Sequence, residues 1–169
     1  MKHVFFSLPI FLCLFACKPE VKTSSAASIQ DTLNTIVETV FSNSEKLDVD
    51  KALSRFLKTD QFSFISNGQV VTIGELERLE RDFFNTLDSQ DFEFIRQRSD
   101  ILSDSCAMIE LFGTLTSYPK KKMPIKYQIA ETAVIKKING SWFLTSGHES
   151  YYPIPLEDSI ALITPETKR

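Results

Sequence analysis

Apolar residues first recur at helical spacing from Ile29. Ile29, Leu33, Ile36, Val37, Val40 and Phe41 fall on one face of a helix. Ser28 with Asp31 three residues later predicts its start, and the polar Ser42-Asn43-Ser44 cluster its end. A second, short helix is predicted over 48–57, with Val49, Ala52, Leu53, Phe56 and Leu57 inward. The pattern then turns extended: Phe62, Phe64 and Ile65, the hairpin dipeptide Asn67-Gly68, and Gln69-Val70-Val71 returning. Thr72-Ile73-Gly74-Glu75 has the form of a capping box. Leu76, Leu79, Phe83 and Leu87 give the third helix it opens one apolar face.

Beyond residue 91 every patterned stretch reads as strand. Asp91 to Leu102 alternates in part, Cys106 to Ser117 is rich in apolar residues and Thr, and Ile125 to Ile138 is long and β-branched. Asn139-Gly140 turns that strand into Trp142 to Tyr152, and Pro153 and Pro155 are expected to end pairing. The tail 153–169 has no strong pattern, although residues 156–163 could make a helical turn. The class is therefore α+β: three N-terminal helices packed on one face of a curved antiparallel sheet, forming a cone.

Ahead of this pattern, Lys2 and His3 precede an almost purely apolar run from Val4 to Phe15. The run is too short to span a bilayer but suits the core of a secretory signal. Leu14-Phe15-Ala16-Cys17 resembles the lipobox of bacterial lipoproteins, with Leu three places before the cysteine and a small residue directly before it. That resemblance implies a signal peptide over 1–16, acylation of Cys17, and a chain tethered by lipid in the bacterial envelope on the periplasmic face. Lys18 in place of Asp favours the outer over the inner membrane. Residues 17–28 are small, polar and Pro-containing, a flexible tether to a domain over 29–152. Cysteine usage agrees, because Cys106 is the only cysteine inside the predicted fold and no disulfide framework can form there.

Composition narrows the classes further. With 43% hydrophobic and 24% charged residues the chain is globular rather than disordered. Its formal charge of −3 offers no basic face for nucleic acid, and Lys120-Lys121-Lys122, between Pro119 and Pro124, reads as a solvated hairpin tip. No metal or cofactor is expected: the chain has two His, one of them in the signal, and no Gly-rich phosphate loop. Cys106 reads as a small buried hydrophobe. Fourteen Phe against five Gly is a large aromatic volume that either fills a core or lines a cavity.

The second Asn-Gly turn carries the sharpest inference, because a two-residue loop fixes register. It sets Trp142 opposite Lys137, Leu144 opposite Ile135, Ser146 opposite Ala133 and His148 opposite Glu131, all on one side of the sheet with Tyr127 further along. The other side carries Lys136, Thr132, Gln128, Lys126, Thr145 and Glu149, so the Trp142 side is expected under the helices. Glu131 and His148 would then form a cross-strand pair, Cβ atoms about 5 Å apart, inside the cone. Such a pair is either the apparatus of acid–base catalysis or two buried groups that satisfy each other.

The segment from Asn139 to Ser150, with its turn Gly, Trp142 two residues later and His148-Glu149-Ser150 at the strand end, resembles the last hairpin of SnoaL-like and DUF4440-type members of the NTF2-like superfamily. Residues 57–68 are similar to their second-helix exit and first strand. The resemblance implies a conical pocket between helices and sheet, used by some members for isomerisation, dehydration or hydrolysis with an Asp or Asp/His pair, and by others for binding alone. It places Asp60 where an acid often lies.

Three readings of function follow. The first is a binding module whose cone holds a small, mostly apolar molecule; Phe62, Phe64, Trp142, Leu144 and Ser146 wall it, with Tyr127, Glu131, His148 and Asp60 as its polar groups. The sparse ionisable groups and abundant Phe favour this one, without catalysis. The second is an isomerase, dehydratase or hydrolase using His148 and Glu131 as acid and base. The third is a homodimeric interaction module pairing through an outer sheet face of Phe143, Val134 and Tyr151.

Overall fold

A computed structural model of the chain describes residues 25–155. The expected signal peptide, Cys17, residues 17–24 of the tether and the tail after Pro155 lie outside the described residues.

The first helix, α1, spans Ala26–Glu45 and so takes in residues 26–28, expected in the tether. Ser25 rather than Ser28 is its N-cap, the side-chain oxygen accepting the Ser28 amide at 3.2 Å. Ile29, Leu33, Ile36 and Val37 are buried, as the spacing predicts. On the outward face Thr32, Thr35 and Thr39 each donate to the carbonyl four residues earlier, which ties β-branched residues into the helix.

The second helix is shorter than the predicted 48–57. α2 covers Val49–Ala52, capped by Asp48, and a single 3-10 turn follows at Leu53–Arg55. Phe56 is already extended and bridges to Leu144. α3 spans Ile73–Phe84 with both halves of the Thr72–Glu75 capping box formed. Its buried residues are Leu76 and Phe84, whereas Leu79 and Phe83 stay partly exposed at the border of a cavity. Leu87 is not part of the helix at all; it opens the next strand.

Six strands form one sheet: β1 Ser63–Ser66, β2 Gln69–Val71, β3 Leu87–Ser103, β4 Cys106–Pro119, β5 Ile125–Ile138 and β6 Ser141–Ile154, in the order β2-β1-β6-β5-β4-β3. Both tight turns are the predicted Asn-Gly pairs, with φ of 47° and 81° at Asn67-Gly68 and 50° and 84° at Asn139-Gly140. Positive φ at both central residues is what twisted two-residue hairpins require. The sheet is mixed, correcting the all-antiparallel expectation, because β1 runs parallel to β6. Alternation of side chains carries no direction, so this pairing is invisible to a period-two pattern. The chain leaving α2 is fixed to β6 by Leu57 N–H donating to the Leu144 carbonyl, and the hairpin end by Asn67 N–H donating to that of Glu149.

Pro153 does not end pairing; it sits opposite Tyr127, and β6 runs on to Ile154. Among the described residues β1 covers β6 only as far as Glu149, so there the last part of β6 is itself an edge where a missing amide costs no ladder bond. The Lys120–Lys122 turn is exposed, as expected. Cys106 is half-buried rather than buried, as the first residue of β4.

Two apolar clusters hold the helices on the concave face. One joins α1 to Ala107, Ile109, Leu111, Ile135 and Trp142. The other joins α2, α3 and the β1–β2 hairpin through Val49, Leu53, Phe56, Phe64, Leu76 and Leu144. Each such side chain contributes about 1.5–3 kcal/mol when fully removed from water. Phenylalanine serves both purposes left open by composition: Phe41 packs edge-on against Phe92 and Phe94 at 4.9 and 4.6 Å, while Phe56, Phe64, Phe83 and Phe84 also border the cavity.

Candidate functional site

The register of the last hairpin decides what faces the cone. From the turn it runs as predicted, with Lys137 opposite Trp142 and Ile135 opposite Leu144. It then shifts by one: Val134 pairs with Ser146, leaving Thr145 as an extra residue on β6. Thr145 is buried and its hydroxyl donates to the Val134 carbonyl at 3.2 Å, which fixes the bulge.

Every later β6 residue is therefore reversed relative to the expectation. Glu131 faces Glu149, not His148, and His148 pairs with Thr132. Ser146 and His148 leave the helix-facing set, while Gly147, Glu149 and Tyr151 join it. His148 is exposed, although it retains a place on the cavity boundary. The proposed Glu131/His148 pair does not exist. Tyr151 is likewise lost to the outer face, which keeps Phe143 and Val134.

Between helices and sheet lies a cavity of about 410 Å³. Of the residues singled out from sequence, Phe64, Tyr127, Glu131 and Leu144 line it, and His148 borders it from its exposed position. Asp60 is exposed at the turn before β1 and does not reach it, nor does Ser146. Phe62 and Trp142 are buried in the two clusters beside it, Trp142 under α1 rather than as a cavity wall.

Glu149 and Glu80 are the polar residues that sequence reasoning missed. Glu149 is only 8% exposed, and both carboxylate oxygens accept hydrogen bonds: from Ser66 Oγ at 2.7 Å and from Tyr151 Oη at 2.9 Å. Tyr151 N–H in turn donates to Asn67 Oδ1, which ties this carboxyl to the β1–β2 turn. Glu80 comes from the cavity side of α3, one turn after Leu76. Three carboxyl groups from α3, β5 and β6 thus converge on one apolar chamber.

Their electrostatics follow from that convergence. Burial, and secondarily the charge of Glu149, pushes Glu80 up to about 8. Burial and then the charges of Glu149 and Glu80 push Glu131 up to about 8 as well. Glu131 keeps some accessible surface, but that surface borders the cavity. Glu149 is also raised by burial, against the opposing hydrogen bonds from Ser66 and Tyr151 and the neighbouring His148. Tyr151 is held well above the usual phenol range by burial and by the three carboxyls. At neutral pH, then, Glu80 and Glu131 are mostly protonated.

Among the described residues no group of three or more His, Cys, Asp or Glu is placed to hold a metal ion. Gln90, 2% exposed, also lines the chamber, separated from the Glu131 row by the rows of Ile129 and Tyr127. Its Nε2 donates to the Ser44 carbonyl, while its Oε1 is buried without a hydrogen-bond partner.

No protein-family model and no curated protein sequence matches the chain. Solved structures do. A provisionally named dehydratase of the NTF2-like family from Streptomyces avermitilis aligns with a TM-score of 0.66 at 14% identity, over 76% of this chain and 99% of that one. Hexachlorocyclohexane dehydrochlorinase LinA-type3 from Novosphingobium barchaimii LL02 aligns at 0.66 and 11% identity, over 77% and 91%. An NTF-2 like protein of unknown function from Shewanella oneidensis MR-1 aligns at 0.57 and 19% identity, over 72% and 98%. What this chain shares with them is the NTF2-like fold, a curved mixed sheet with helices closing its concave side.

Proposed function

We propose that the chain is a lipid-anchored protein of the bacterial envelope whose cone binds a small, mostly apolar molecule without transforming it. The observation that carries this reading is the cavity of about 410 Å³, walled largely by aliphatic and phenylalanine side chains with a few polar groups at set positions. Anchoring rests on the Leu14–Cys17 motif, with the outer membrane favoured. The full-length chain, purified from envelope in mild detergent and extracted with organic solvent, is expected to release one dominant small molecule by mass spectrometry. An empty cavity across several preparations would sink the reading. Cys17→Ser is expected to move the protein from the membrane to the soluble envelope fraction.

A second reading is favoured by the register: elimination or isomerisation with Glu149 as base and Glu131 as acid. The two carboxyls face each other, yet one is held by two hydrogen bonds and the other is unpaired and protonated, the separation of roles that acid–base pairs need. Two of the structural neighbours are named for a dehydratase and a dehydrochlorinase, which gives this reading a chemical precedent on the fold. It requires that the extracted molecule be converted by fresh protein and not by Glu149→Gln.

A further inference from the structure

We propose that the molecule held in the cavity is a hydrophobic amine, with its apolar body among the phenylalanines and its protonated nitrogen seated between Glu80, Glu131 and Glu149. This names the ligand class of the binding reading and rests on it.

The first observation is the sign of the lining. Among the described residues three Glu side chains border the chamber and no Lys or Arg does. A carboxylate or phosphate ligand would find no such cation to pair with inside an apolar enclosure, and would hold the neighbouring carboxyls in their protonated forms.

The second is the hydrogen-bonding capacity left over. Glu149 is already engaged by Ser66 and Tyr151, whereas Glu80 and Glu131 have no hydrogen bond with any described residue. Glu80 and Glu131 therefore each lack a partner, and once ionised they ask for donors. A purely apolar ligand leaves each of them unsatisfied. An ammonium nitrogen brings up to three donors and the complementary charge. Tyr127 and Tyr151, edge to face at 6.2 Å, and Phe64 add ring surfaces on which a cation is favoured.

The titratable groups facing the proposed nitrogen are Glu80 from α3, Glu131 and Tyr127 from β5, and Glu149, Tyr151 and His148 from β6; β1 adds the Ser66 hydroxyl, and α1 and α2 add none. In the empty cavity Glu80 and Glu131 hold their protons to about pH 8. A cation favours their ionised forms, so its binding releases protons and tightens as pH rises toward that value. A neutral ligand that accepts from the protonated carboxyls shows the opposite trend.

Tryptamine, tryptophol and indoleacetate share one ring system and differ in the terminal group, so calorimetric titration of the full-length chain with each separates the cases. Tryptamine is expected to bind at least about tenfold more tightly than tryptophol, and indoleacetate not measurably. Tryptamine affinity is expected to rise between about pH 6.5 and pH 8, with proton release read from buffers of different ionisation enthalpy. Glu131→Gln, and independently Glu80→Gln, should each weaken tryptamine about tenfold and leave tryptophol unchanged. Circular dichroism reports whether each variant is folded. Tryptophol binding as tightly as tryptamine, or indoleacetate binding best, overturns the amine assignment while the cavity remains a binding site. Failure of all three probes together with an empty solvent extract overturns both.

Discussion

Gly147 has no side chain because none fits. A Cβ there would lie 2.7 Å from Cε2 of Phe64 and 3.0 Å from the Thr132 carbonyl oxygen. Phe64 is itself buried among α2, α3 and β6, so the ring has little room to yield. Gly147→Ala is therefore expected to lower stability by about 1–3 kcal/mol, read as a shift in the denaturant midpoint. Adding Phe64→Leu should return part of that loss, because the second change removes the atoms in collision. The same glycine was the available signal for the misplaced half of β6. A lone Gly inside a strand marks a bulge or a close backbone approach, and here it lies two residues past the bulge at Thr145. Glu131, on the unbulged partner strand, kept the face that simple alternation assigns; His148 and Glu149 exchanged theirs.

At the level of elements, the features that could be read in advance were those with a local cause. The Thr72–Glu75 box starts α3, both Asn-Gly turns adopt positive φ, and the apolar stripe of α1 packs inward, each determined within a few residues. The parallel docking of β1 on β6 depends on partners far apart in the chain, so no short window of sequence contains it, and the bulge opposite Val134 breaks the register that the Asn-Gly turn alone sets. Glu80 escaped notice for a related reason: on α3 it looks like one more charge on a polar helix face until the sheet is placed beneath it. Because α3 carries Glu80 into the chamber, its cap has a consequence beyond the helix end. Thr72→Ala removes the acceptor for the Glu75 amide and is expected to cost about 1 kcal/mol, measurable by thermal unfolding.

For the molecule as a whole, three buried carboxyls make stability depend on pH in an unusual direction. Glu80 and Glu131 are raised from 4.5 to about 8 by folding. Between those values the unfolded chain has lost these protons and the folded chain keeps them, so their contribution is complete below about pH 4.5 and is lost as pH rises through about 8. The unfolding midpoint is expected to fall on the order of 20 °C between about pH 5 and pH 8, and Glu131→Gln should flatten that slope. A midpoint that climbs over this range would contradict the buried, uncompensated state of the cluster. The sheet order has a separate consequence. Among the described residues β3, seventeen residues long, has β4 on one side only, and a strand of that length with an open flank is a ready template for chain-to-chain growth. Three register shifts, near Ser89, Arg96 and Ser103, break its ladder into short pieces, and Asp91, Glu93, Arg96 and Arg98 stand exposed along it. Crowded copies of the chain therefore meet an interrupted, charged flank, which disfavours strand-to-strand growth at that margin.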